Sequence, residues 1–144
     1  MDLKFKLLSL FVFTVSFSCY GQSPALLFSR QHPVTADSFG VIKKIKSPPL
    51  GKKIKVVYND GQKRKVLKDN LWGFQGSNGR LYRIYDNKVF EVVRQDDIVK
   101  YERKLAGTNQ YQRRFSANLD SPLFLTKRNT RLQKEEQTEP ALKE

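Results

Sequence analysis

Histidine and cysteine are almost missing from this chain of 144 residues, which holds one of each, and that scarcity closes off most familiar chemistries. His32 has no second histidine or cysteine with which to build a transition-metal site. A serine-histidine-acid triad has to draw on His32, and the nucleophile-elbow pattern G-x-S-x-G does not occur. Cys19 stands alone, so no intramolecular disulfide can form. A phosphate-cradling loop is missing too, because Gly76-Ser77-Asn78-Gly79 is short and reads as a turn. Within the strand-patterned part, adjacent carboxylates occur only at Asp96-Asp97, between predicted strands, where aspartates ordinarily form turns. The residues present point away from an enzyme and imply no cofactor and no metal.

Long apolar runs are also absent. The longest, Leu7–Phe17, falls well short of the roughly 20 residues that a membrane-spanning helix needs. Lys4 and Lys6 precede it, and the small or polar stretch Ser18-Cys19-Tyr20-Gly21-Gln22 follows. That layout predicts a secretory signal peptide over residues 1–21. Two cleavage schemes fit. Ordinary signal peptidase takes small residues at −3 and −1, here Cys19 and Gly21, and leaves Gln22 first. Lipoprotein processing would instead acylate Cys19; Ser18 before it is suitable, but Ser16 stands where a large aliphatic residue is usual.

Acidic residues are few, 14 against 27 lysines and arginines, for a net charge of +13. Removing residues 1–21 takes away Lys4, Lys6 and Asp2 and leaves +12. A surplus of this size speeds association with anionic partners. In the cytosol it would point to nucleic acid; export disfavours that partner. The polyanions outside the inner membrane are lipid headgroups, lipopolysaccharide phosphates, acidic glycans and anionic proteins. Membrane attachment is expected only if Cys19 is lipidated.

What the chain does have is strand patterning. Residues 22–40, with Pro24, Pro33 and Gly40, read as an extended lead-in, and residues 41–103 as a β domain. Residues 104–144 read as a flexible tail, with a short docking segment at 122–125 and a helix around Arg131–Glu136. Ile54, Val56 and Tyr58 alternate with Lys53, Lys55 and Val57 before the turn signal Asp60-Gly61. A two-residue turn there sets Ile54 opposite Leu67; a three-residue loop would oppose Lys55 to Lys65, an unfavourable pair. Asn78-Gly79 is a second turn, and a two-residue loop there places Trp72 opposite Tyr85 and Phe74 opposite Arg83. A three-residue loop at Asp86-Asn87-Lys88 pairs Tyr82 with Val92 and Arg83 with Glu91. The expected fold is all-β, a small antiparallel meander of five to six strands forming a barrel or a curled sheet.

Two clusters are candidates for binding. Lys43-Lys44-Ile45-Lys46 is echoed by Lys52-Lys53-Ile54-Lys55 across a proline-stiffened loop. Lys43, Lys44, Lys46, Lys53 and Lys55 would attract anions as a field, or simply guard a strand edge against aggregation. Trp72, Arg83 and Tyr85 would form a platform for sugar rings or an apolar peptide, or else belong to the core.

Leu71-Trp72-Gly73-Phe74-Gln75 followed by Gly79-Arg80-Leu81-Tyr82-Arg83-Ile84-Tyr85 resembles a pattern in short exported envelope proteins of Bacteroidetes bacteria, over about residues 53–103. The resemblance implies an envelope location, periplasmic or extracellular, and carries over no catalytic or binding residue. Together these features predict a non-enzymatic binding or structural module of the cell envelope that contacts anionic surfaces or an envelope protein. The alternative is an accessory subunit of an envelope complex, lipid-anchored at Cys19.

Overall fold

The computed structural model describes residues 23–29 and 32–138, so the expected signal peptide and Cys19 lie outside the described residues. Eleven short strands follow one another: β1 (Ala25–Leu27), β2 (Pro33–Val34), β3 (Ala36–Asp37), β4 (Gly40–Lys46), β5 (Lys53–Tyr58), β6 (Lys63–Leu67), β7 (Gly73–Gln75), β8 (Leu81–Tyr85), β9 (Lys88–Gln95), β10 (Val99–Lys104) and β11 (Tyr111–Ser116). A single 3₁₀ turn, Lys68–Asn70, follows β6, and helix α1 spans Lys127–Thr138.

The class is all-β and antiparallel, with more strands than the five to six expected. They form a seven-stranded sheet, ordered β11-β10-β9-β8-β7-β1-β2, and a four-stranded one, ordered β3-β4-β5-β6. Seven of the strands, β4 to β10, fall on the expected β domain, and β1, β2, β3 and β11 come from the expected lead-in and tail, so the β framework extends beyond 41–103 on both sides. β1 pairs with β7 and β2, and Ala25, Leu26 and Leu27 are all buried. A three-residue strand buried throughout has no alternation for a period-of-two test to detect.

Two hydrophobic clusters hold the sheets. One lies between them: Leu26 and Phe74 of the larger sheet, Leu71, and Ile42, Ile54, Val56 and Tyr58 of the smaller. The other lies on the far side of the larger sheet, where Leu119 and Leu123 cover Phe90, Val99 and Tyr101. Phe124 exchanges backbone hydrogen bonds with Phe115 on β11 (2.9 and 2.7 Å), which pins the covering segment down. Thr126 then caps α1, its hydroxyl accepting the Asn129 N–H at 3.3 Å.

All three hairpin registers differ by one residue from expectation. At Asp60-Gly61 the loop has three residues, so Ile54 faces Val66 and Lys55 faces Lys65. At Asn78-Gly79 Phe74 faces Tyr82 and Gly73 faces Arg83. In both loops the glycine takes the final, left-handed position, with φ of +88° at Gly61 and +76° at Gly79. At Asp86-Asn87 both residues are left-handed (φ 49° and 56°), which makes a two-residue turn pairing Tyr82 with Glu91 and Arg83 with Phe90. The charge pairing of Arg83 with Glu91 therefore does not exist. Gly73 itself is fixed by close approach, since a Cβ there would lie 2.1 Å from the Tyr82 carbonyl oxygen.

Candidate functional site

The four-stranded sheet buries one face and bares the other. On β5, Ile54, Val56 and Tyr58 point inward, so Lys53, Lys55 and Val57 point outward. On β4 a bulge between Ile42 and Lys44 breaks strict alternation. It lets Ile42 and Ile45 both turn toward the core while Lys43, Lys44 and Lys46 stay exposed. β6 adds Lys63 and Lys65, both exposed.

Register then lines these lysines up. Lys46 is opposite Lys55, and Lys55 is opposite Lys65, giving one row across three strands. Lys44 and Lys63 flank Val57 in the next row. Neighbouring strands lie about 4.8 Å apart and alternate residues on a strand about 7 Å apart, so the face presents a grid of ammonium groups. None of these lysines forms an ion pair among the described residues. The one carboxylate on the strands of this sheet, Asp37, is engaged elsewhere. It accepts the Tyr58 hydroxyl at 2.7 Å and pairs with Arg64 at 3.4 Å. Burial and the adjacent carboxylate push the Tyr58 phenol above its ordinary value, which keeps it the donor. A concavity of about 630 Å³ at the end of this face is lined by Lys46, Lys52, Lys53, Lys55 and Lys65 and by no acidic residue.

Lys63 and Lys65 were not among the residues singled out by sequence. Their signal was present in the Lys63-Arg64-Lys65 alternation, but the two-residue turn expected at Asp60-Gly61 placed Lys65 out of line with Lys55. Lys68 belongs to no such face. It is buried, its ammonium donates to the Asn87 carbonyl at 3.1 Å, and burial pushes its pKa down.

Trp72, Arg83 and Tyr85 do come together, although not in the expected pairing. The Arg83 guanidinium lies 5.7 Å from the Trp72 ring centre, 5.4 Å from Tyr85 and 5.6 Å from Tyr101. Phe74 turns to the opposite face, where it stacks on Tyr82 at 4.9 Å, with Glu91 opposite Tyr82 in the adjoining strand. Arg83 is only 5% exposed. Its Nη1 donates to the Ser121 carbonyl (2.8 Å) and the Tyr101 hydroxyl (3.2 Å), and Tyr101 in turn bonds Ser116 at 3.0 Å. The chain's own segment after β11 thus occupies the place a ligand would take. Arg83 is packed interior, and Trp72 and Tyr85 are half-buried beside it.

A second cleft, of about 770 Å³, opens between the sheets over Phe74, Tyr82, Val93 and Tyr111. Both carboxylates in its lining are paired, Glu91 with Arg80 at 3.0 Å and Glu102 with Lys100 and Arg113 at 2.8 and 3.1 Å, and Arg103 and Lys104 line it as well. His32 meets Ser29 (3.2 Å), and Asp96 pairs with Arg94 in the turn between β9 and β10. Among the described residues no group of three histidine, cysteine or carboxylate side chains is placed to hold a metal, and no helix is long and apolar enough to cross a membrane.

Compared with known protein families, curated proteins and solved structures, the chain matches none.

Proposed function

We propose that this chain is an exported, non-enzymatic binding module of a bacterial cell envelope, and that it holds anionic surfaces through the lysine face of its smaller sheet. The observation that carries this reading is the row Lys46–Lys55–Lys65, three like charges in register with no carboxylate beside them. Directly opposed like charges destabilise a sheet, by about 0.2–1 kcal/mol a pair. A multivalent anion bridging the row removes that repulsion, and its affinity grows with each lysine it touches. Edge protection alone calls for scattered lysines on an outer strand. Here the row crosses β5, which is paired on both sides.

Such a grid recognises charge density with little stereospecificity. It suits lipopolysaccharide phosphates, acidic glycans or anionic headgroups, and the proposal places the protein where these occur. The test is retention of the protein on immobilised lipopolysaccharide as ionic strength rises roughly tenfold, which shortens the screening length about threefold. Retention is expected to collapse across that range. Retention that holds constant would refute an electrostatic face.

A further inference from the structure

Leu50 is 78% exposed, more than any other large hydrophobic side chain among the described residues. It sits in the loop between β4 and β5, behind Pro48-Pro49 and ahead of Gly51, whose φ of +104° reverses the chain. The prolines fix two successive backbone angles, so the loop holds its leucine out in a restricted set of conformations. An isolated exposed leucine is unremarkable on a protein surface. This one lies in the loop that joins two strands of the lysine row, with Lys46 before it and Lys52 and Lys53 after it.

That juxtaposition separates two kinds of anionic partner. A soluble polyanion offers Leu50 nothing, because both are hydrated in the complex. A bilayer offers phosphates at the level of the ammonium groups and an apolar layer just beneath them. Lysine stems adapt to such a boundary by lying along it with the charge in the headgroups. We propose that the loop between β4 and β5 docks on an anionic lipid bilayer, Leu50 entering the headgroup–acyl boundary and Lys46, Lys52, Lys53, Lys55 and Lys65 lying on lipid phosphates. The inference rests on the anion-binding reading of the lysine face and deepens it by naming the surface. It operates whether or not Cys19 is acylated. Each lysine near an anionic bilayer strengthens binding about fivefold, and burying the Leu50 side chain adds about tenfold or more.

The experiment is flotation of the full chain with vesicles of equimolar phosphatidylglycerol and phosphatidylcholine, and with pure phosphatidylcholine vesicles. Retention on dextran sulfate is measured alongside. Leu50→Ser and Lys55→Glu are compared with the parent, so any contribution of residues 1–21 is common to all three. Leu50 is exposed, so its replacement leaves the core intact. Leu50→Ser is expected to lower partition into the anionic vesicles about tenfold and to leave dextran sulfate retention unchanged, whereas Lys55→Glu lowers both. Unchanged vesicle partition for Leu50→Ser, with both readouts still reduced by Lys55→Glu, overturns lipid insertion and leaves the anion-binding face standing. Indifference of all three proteins to dextran sulfate and to anionic vesicles overturns both. Equal partition of the parent into the two kinds of vesicle overturns the preference of the lysines for a net-anionic bilayer.

Discussion

On the seven-stranded sheet Arg80 meets Glu91, and Lys100 and Arg113 converge on Glu102; on the four-stranded sheet Lys46, Lys55 and Lys65 stand in one row with no carboxylate beside them. The two sheets share one core and differ in what their other faces do. The ion pairs on Glu91 and Glu102 lie in the cleft between the sheets, and on the far side, where Leu119 and Leu123 cover strands β8 to β10, polar groups must find partners within the protein. Arg83 does so through backbone carbonyls and the Tyr101 hydroxyl. The smaller sheet is anchored wholly from within, by Ile42, Ile54, Val56 and Tyr58, each no more than 2% exposed. Its outer face is consequently free of packing duties, and like charges persist there at modest cost to stability. The carboxylates Glu91 and Glu102 of the larger sheet are paired, whereas the outer lysines of the smaller sheet have no ion pair among the described residues.

The comparison breaks most visibly at Gly73. Gly73→Ala drives a methyl group into the Tyr82 carbonyl, so urea denaturation should show a loss of about 3 kcal/mol or more. Next is Arg83→Ala, expected to cost about 2–4 kcal/mol by orphaning the Ser121 carbonyl and removing packing from three aromatic rings. Retention of its folded fraction on lipopolysaccharide should match the parent. Weakened retention at unaltered stability would move Arg83 from the core to the binding surface.

Lys65→Glu inverts that pattern, because it turns the Lys55–Lys65 repulsion into an attraction. Stability should rise by about 0.5 kcal/mol while retention falls, and a fall in both would mean that the row is structural.

The smallest effect concerns Glu102. Hydrogen bonds from Lys100 and then Arg113 hold its carboxyl below the ordinary 4.5. A carboxylate with a lowered native pKa contributes stability in full above the unfolded value, and loses it as pH falls through the native one. Glu102→Gln should therefore flatten part of the acid limb below about pH 4.5, as seen in thermal melts between pH 3 and pH 6. An acid limb identical to the parent's would show that the pair adds nothing to stability.

Much of the smaller sheet was legible in advance. The alternation on Lys53–Tyr58 assigned inward and outward residues correctly, and the basic echo around Ser47–Leu50 did mark two neighbouring strands. The registers were not legible. Asp60-Gly61 and Asn78-Gly79 are compatible with either a two-residue loop or a three-residue loop ending in a left-handed glycine, and cross-strand charge was a poor arbiter between them. In solvent, a Lys55–Lys65 contact is too weak to override the packing of Val66 against the core, which the observed register provides. The aromatic cluster left both readings, platform and core, open for a related reason. Trp72, Arg83 and Tyr85 are close in space, as the spacing implied, but what lies over them is a segment some 35 to 50 residues further along the chain.

The sequence by itself determined the antiparallel β class, the polarity of the strands that bury one face only, and a cationic surplus concentrated between Val41 and Lys68, where Asp60 is the only acid. Those properties are local or additive, and composition and a period of two express them directly. Only the tertiary structure decided which lysines share a row, which aromatics are covered, and that β1 and β11 complete the larger sheet. Each depends on backbone pairing between distant segments, where a shift of a single residue exchanges one face for the other.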